Sequence, residues 1–392
     1  MDRRRFLKGL ACSAAAHPLL TTVTLAGSSP ALGENRLVVI ILRGAMDGLD
    51  VVQPRGEAVF AALRPGLSAA PALPLDDFFH LHAGLGGLLP LWRAGELAFV
   101  HATSTPYRDK RSHFDGQDML EAGTGMDVAP AALRDGWLNR MLQAVPGTAA
   151  ETAYAVGRDE MKVLMGPAPV REWAPDQGLP LSAQGRRLLE RICHDDPLFG
   201  AAVADALDLT QRDAPRRDAA GTAETATPVE AVADFAAARL MEDARIAAFS
   251  LNGWDTHRGQ NEALGRPLKA LEQAILRLKL RLSPEVWART AVLAMTEFGR
   301  TVAENGSRGT DHGTGGAMVA AGGAIRGGRV FGRWPGLDEA ALYDRRDLMP
   351  TSDVRAWAAG VMRGFYGFGD ATLEDAVFPG LDLGGAGGGA GL

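Results

Sequence analysis

Cysteine is almost missing from this chain: its 392 residues carry two, Cys12 and Cys193, and Cys12 lies in an amino-terminal stretch that reads as an export signal. With Cys193 left alone in an exported chain, an intramolecular disulfide and a thiolate metal cluster are both excluded. Any metal must then be held by carboxylate, imidazole or hydroxyl groups. Histidine is scarce as well, at eight residues, which narrows where such a site can lie. Positive charge is not in excess: 41 Lys and Arg face 47 Asp and Glu, for a net charge of −6, and the basic residues are scattered rather than striped. The chain therefore has no footprint for nucleic acid. Nor is it short of apolar residues, since 46% hydrophobic content over this length supports one large α/β domain or two smaller ones.

What is present begins with Met1-Asp-Arg-Arg-Arg-Phe-Leu-Lys8, which resembles a twin-arginine export signal. An alanine-rich segment from Gly9 to about Ala26 follows, and Ser29-Pro30-Ala31 supplies small residues suited to cleavage. A basic amphipathic helix would not explain the ordered Arg-Arg-x-Phe-Leu-Lys string. The Thr, Ser and His content of the segment makes it a poor permanent membrane anchor. Residues 1–31 are thus expected to be a signal peptide, with the mature protein periplasmic or secreted and the twin-arginine machinery its export partner. That machinery carries folded proteins, which fits insertion of a metal before export.

Arg36-Leu-Val-Val-Ile-Ile-Leu42 is a continuous β-branched run of the kind buried on both faces of a parallel sheet. Further strands are expected at Glu96 to Ala102, Arg245 to Leu251, Thr290 to Thr296 and Ala317 to Ala321. Helices are expected over Leu85 to Arg93, from Ser112 onward with Asp115 as a capping acid, from the Gly-Trp-Asp-Thr-His turn to about Leu282, and over Asp353 to Tyr366. The alternation predicts a single three-layer α/β domain over 36–375, mainly parallel, with helices on both faces. A polar surface loop interrupts it at about 210–228, and 384–392 forms a glycine-rich disordered tail. In such sheets ligands gather beyond the carboxyl ends of the strands. Asp47, Ser112, Asp255, His257 and Glu297 follow strands, and His312 enters one.

Asp255 and His257 in their turn can present oxygen and nitrogen to one cation if the backbone is extended, although such a turn is also a common hydrogen-bonded loop. His312, in a glycine-bordered loop, adds a donor where backbone can approach a ligand closely. Ser112 is a helix cap on the commoner reading, and on the functional one a hydroxyl in a positive field that suits an anion. Arg108, Lys110 and Arg111 add positive charge there. His113 is a second ligand, a base or a partner of the cap.

The twin-arginine start, Leu-Arg-Gly-Ala-Met-Asp-Gly48, Arg111-Ser-His-Phe114, Gly253-Trp-Asp-Thr-His257, Thr296-Glu-Phe-Gly-Arg300 and Thr310-Asp-His-Gly313 resemble the exported bacterial domain-of-unknown-function family 1501. The likeness runs from about Arg36 to Phe365. That family is grouped with the alkaline phosphatase and sulfatase superfamily, whose members hold one or two divalent metals beside a nucleophile. By strand order the resemblance implies Asp255, His257 and His312 in one metal site, and Asp47, Ser112 and Glu297 in a second without a nitrogen donor. Glu297 takes the place of the superfamily's aspartate and Phe298 that of its histidine. The Asp255 to His257 spacing is shorter than the usual Asp-x-x-x-His, and Asp311 is expected to orient His312 or a neighbouring arginine.

Two functions follow. The first is a metal-dependent hydrolase of small anionic esters, with Ser112 as nucleophile, Arg300 stabilising the transferred group, and one or two ions of zinc, manganese or iron, calcium being a further option. The Cys/Ser-x-Pro-x-Arg string of sulfatases is missing after Ser112, which favours phosphate over sulfate. The second is an exported, non-catalytic binding or assembly protein that keeps the fold. Stoichiometric metal in the exported protein separates them.

Overall fold

The computed structural model describes residues 32–108, 110–126, 135–175, 226–384 and 392. The expected signal peptide, nearly all of the loop at 210–228 and nearly all of the tail lie outside the described residues. The strands are β1 (Arg36–Arg43), β2 (Val52–Gln53), β3 (Ala72–Pro74), β4 (His80–His82), β5 (Leu97–Ser104), β6 (Ala153–Val156), β7 (Arg171–Trp173), β8 (Ile246–Asn252), β9 (Thr290–Met295), β10 (Gly316–Ala321), β11 (Arg329–Phe331) and β12 (Ser352–Asp353).

The main sheet runs β11-β5-β10-β9-β1-β8-β6-β7, with β12 alongside β5, while β2, β4 and β3 form a small separate sheet. Its pairings are parallel except that β10 lies antiparallel to both β5 and β9. The expected mainly parallel α/β domain is what forms. The reversal of β10 matters for function: the residues entering an antiparallel strand lie at the edge where its parallel neighbours end. His312, which precedes β10, therefore reaches the same edge as residues that follow β8 and β9.

β1 shows why the sheet is central. Leu37, Val39 and Ile41 belong to one buried cluster and Val38, Ile40 and Leu42 to the other, as the two-residue period of a strand requires. The first face is covered by helices Trp137–Gln143 and Val354–Tyr366, through Trp137, Met141, Trp357 and Met362. The second is covered by Pro228–Leu240 and Gly265–Arg281, through Phe235, Leu240, Leu271 and Ile275. Each such side chain, fully buried, contributes roughly 1.5–3 kcal/mol. No helix among the described residues is long and apolar enough to cross a membrane.

Candidate metal centre

Three loops meet at the strand edge, and backbone contact without side chains lets them close. A Cβ on Gly313 would stand 2.4 Å from the Arg300 carbonyl carbon, so the Asp-His-Gly loop lies directly on the Glu-Phe-Gly-Arg loop. Gly44 has φ of +117° and a Cβ there would meet the Asp255 amide nitrogen at 2.5 Å.

Asp255 Oδ1 is the point of convergence. It lies 3.0 Å from His257 Nε2, 3.4 Å from His113 Nε2, 3.4 Å from His312 Nε2 and 2.7 Å from Arg300 Nη2. His113, Asp255 and His312 each offer an atom within 4.8 Å of the others, and His257 Nε2 stands 3.0 Å from His312 Nε2.

The far side of each imidazole is held by an oxygen. His312 Nδ1 donates to the Arg111 carbonyl at 2.7 Å, His113 Nδ1 to Glu297 Oε1 at 2.8 Å, and His257 Nδ1 to Asp311 Oδ1 at 3.3 Å. A carbonyl can only accept, and both carboxylates are held in the ionised form, so each Nδ1 carries a proton and Nε2 is the ring atom that each histidine turns inward toward Asp255. His113 Nε2 is buried without a hydrogen-bond partner. This is the orientation found when histidines bind a metal and oxygens steer the rings from behind.

Burial works against the charge of Glu297, yet the His113 and Gln117 hydrogen bonds and its backbone bonds hold its pKa below the ordinary value. Its Oε1 also accepts from the Gly44 and Ala45 amides at 3.0 Å each. Burial likewise opposes ionisation of Asp255 and of Asp311. Arg300 outweighs it at Asp255, and Asn305 and His257 outweigh it at Asp311, so both pKa values fall. The Glu297 hydrogen bond raises the His113 pKa, whereas burial lowers that of His312.

Four of the residues expected at the site are thus together: Asp255, His257 and His312 as donors, with His113 joining them. Others stand elsewhere. Glu297 is behind His113 rather than among the inward-facing donors, because its oxygens are taken by amides, Gln117, Thr296 and that ring. Asp47 does not face the histidines. Its carboxylate is buried against Arg64 at 2.6 and 3.1 Å and receives Gln260 Nε2 at 2.7 Å. Asp311 orients His257, not its neighbour His312. Arg300 is buried and grips Asp255. Ser112 caps the helix His113–Ala122 through a long 3.4 Å contact from the Asp115 amide, and its own amide donates to the Tyr107 hydroxyl at 2.8 Å. Phe298 stacks on His113 at 5.3 Å and contacts the His312 ring.

Sequence reasoning missed the Arg111 carbonyl as an anchor, and Arg64 and Gln260 as buried supports. Arg111 has φ of +52°, a left-handed conformation rare without glycine. Neither Arg64 nor Gln260 stands in a motif that would announce it.

The model of the family described as protein of unknown function, DUF1501, matches residues 102–356, more than half of the chain. The chain belongs to that family. No curated protein matches it. Among solved structures, an alkaline phosphatase superfamily protein from Vibrio parahaemolyticus is similar at 12% identity and a TM-score of 0.36, over 84% of this chain and 71% of its own. Two TAB5 alkaline phosphatase variants with magnesium bound in the M3 site are similar at 11% and 12% identity and TM-scores of 0.33 and 0.32, each over 74% of this chain and 90% of theirs. These are likenesses of fold.

Proposed function

We propose that this protein is an exported, metal-dependent hydrolase of small phosphate esters, in which His113, His257, His312 and Asp255 hold one divalent ion. The observation that carries the reading is the convergence of three imidazole Nε2 atoms on one carboxylate oxygen at 3.0–3.4 Å. Donors bonded at 2.0–2.1 Å around a tetrahedral zinc ion stand about 3.3 Å apart, close to the separations of Asp255 Oδ1 from the three Nε2 atoms and of His257 Nε2 from His312 Nε2. The nitrogen-rich set argues against calcium.

An ion held there supplies Lewis acidity toward an anionic ester. The chain's own groups do the rest. Arg300, buried against Asp255, places positive charge beside the donors, where the phosphoryl oxygens would lie. The hydroxyl of Ser112 is only loosely committed as a cap and stands one residue from His113, at the N-terminus of a 10-residue helix. In the proposed step its oxygen gives up its proton and forms the new bond to phosphorus, the ester oxygen leaves with the bonding pair and takes up that proton, and water later breaks the serine O–P bond, restoring the hydroxyl and releasing phosphate.

Metal analysis of the protein exported by its native route, then turnover of p-nitrophenyl phosphate and p-nitrophenyl sulfate, tests this reading. About one equivalent of zinc, manganese or iron with release from the phosphate ester is expected. Protein that is folded yet binds no divalent ion would end it, and an undiminished rate in Ser112→Ala would remove the serine while leaving the ion. Replacing Arg3 and Arg4 by lysine should retain the precursor in the cytoplasm, and normal periplasmic levels would exclude the twin-arginine route.

One observation favours the non-catalytic alternative: Arg300 already neutralises Asp255 at 2.7 Å, closing the cluster on itself. On that reading the folded protein carries no metal and its melting temperature is indifferent to added zinc.

A further inference from the structure

Beneath the three loops lies a buried polar frame that the proposed chemistry does not use. Gln260 is fully buried at the start of the short helix Gln260–Ala263. Its Oε1 accepts from Thr256 Oγ1 at 2.9 Å and Thr310 Oγ1 at 2.7 Å, and its Nε2 donates to Asp47 Oδ2 at 2.7 Å and Asp50 Oδ2 at 2.8 Å. Its backbone amide donates to the Arg308 carbonyl at 2.8 Å. Thr256 stands between Asp255 and His257, and Thr310 two residues before His312. The other end of the frame is equally fixed. Arg64, paired with Asp47, donates from Nε to the Val302 carbonyl at 2.8 Å and from Nη2 to the Thr301 carbonyl at 2.7 Å, just past Arg300.

We infer that Gln260 is a positioning residue that sets the register between the loop bearing Asp255 and His257 and the loop bearing His312, through the hydroxyls of Thr256 and Thr310. The side-chain amide offers two lone pairs and two N–H groups, and each of these four meets a partner. The two loops share one acceptor oxygen, so neither can shift relative to the other without losing a buried bond. Only an amide of this length joins two hydroxyl donors to two carboxyl acceptors, because an ionised glutamate there would have no N–H group to give Asp47 or Asp50. Misplacement of a ligand pair by a fraction of an ångström is felt in a metal site, and partners behind first ligands commonly carry 10–100-fold in affinity.

This inference rests on the metal reading above, and the experiment keeps the two apart. Zinc affinity is measured by chelator competition, and the visible spectrum is recorded after cobalt loading, for the wild type, Gln260→Leu, Thr310→Val, Thr310→Ser and the buried apolar control Leu278→Ala. If the wild type binds neither ion, the metal reading falls and takes this inference with it. With a metal-binding wild type, Gln260→Leu and Thr310→Val are expected to weaken zinc at least 10-fold and to alter the cobalt spectrum. Thr310→Ser, which keeps the hydroxyl, restores both, and Leu278→Ala lowers the melting temperature without moving either. Should Gln260→Leu fail to fold, the Thr310 pair decides alone. Wild-type affinity and spectrum in Thr310→Val, or equal zinc loss in Leu278→Ala, would overturn the inference while leaving the metal site intact.

Discussion

His257 Nε2 and His312 Nε2 face each other at 3.0 Å, with Asp255 Oδ1 3.0 Å from the first and 3.4 Å from the second. With the Nδ1 atoms engaged by Asp311 and the Arg111 carbonyl, the Nε2 atoms are the ring nitrogens left to face each other across that gap. The contact is repulsive until a proton or a cation stands in it. Asp255 Oδ1 and Arg300 Nη1, the latter 3.4 Å from His257 Nε2, stand against the same pair.

The first prediction uses that pair. His312→Ala removes an inward-facing donor and should nearly abolish metal binding. Asp311→Asn only weakens the bond that steers His257 and should reduce affinity about 10- to 100-fold. A histidine that merely hydrogen-bonds in its loop would, once replaced, cost about 1–3 kcal/mol of stability and leave metal content unchanged. Bound metal and melting temperature, read together on both variants, separate the outcomes.

The second concerns Glu297 and His113, joined at 2.8 Å. Glu297→Gln sets an N–H group among the Gly44, Ala45 and Gln117 donors and loses the anion behind the ring. Metal affinity should fall about 10-fold and stability by roughly 1–3 kcal/mol. Because both residues act through one bond, the affinity losses of Glu297→Gln and His113→Ala should not add in the double variant. Additive losses in a chelator competition would mean that Glu297 acts independently of the ring.

The third addresses the glycines. Gly313→Ala places a methyl 2.4 Å from the Arg300 carbonyl carbon and oxygen, both rigid backbone atoms. The loop must lift, carrying His312 from Asp255. Metal binding should weaken more than the melting temperature falls, and Gly364→Ala, in the helix Val354–Tyr366 with open space at its Cβ, should leave metal binding unchanged while raising stability by up to about 1 kcal/mol.

Much of this arrangement was legible in the sequence, for physical reasons. β1, β5, β8 and β9 are short apolar runs whose burial on both faces leaves little choice of conformation, and their ends marked Asp255 and Glu297. What could not be read was where side chains turn after those ends. Asp47 follows β1 as expected of a ligand, yet Arg64 is 17 residues on and its approach depends on tertiary packing. Glu297 likewise ended up behind His113 because the Gly44 and Ala45 amides, supplied by a distant loop, were already aimed at it. The Arg111 carbonyl carries no side-chain signature at all.

The last prediction concerns pH and lies away from the donor cluster. His101, on β5, is fully buried; its Nδ1 accepts from the Ala102 amide at 2.9 Å, which leaves Nε2–H to donate to the Val52 carbonyl at 3.0 Å. Phe79 and Trp334 pack against the ring at 5.5 and 5.0 Å. Burial lowers its pKa from 6.5 to about 4. The unfolded chain therefore binds more protons than the folded one between those values. The contribution to stability is complete above about pH 6.5 and is lost as pH falls toward 4, amounting to roughly 3 kcal/mol in full at about 1.4 kcal/mol per unit. Urea unfolding of metal-free protein at pH 7.5, 5.5 and 4.5 measures it without interference from loss of an ion. His101→Gln cannot titrate, so the stability gap between wild type and variant should narrow as pH falls. A gap that stays constant from pH 7.5 to 4.5 would show that His101 keeps an ordinary pKa in the folded protein.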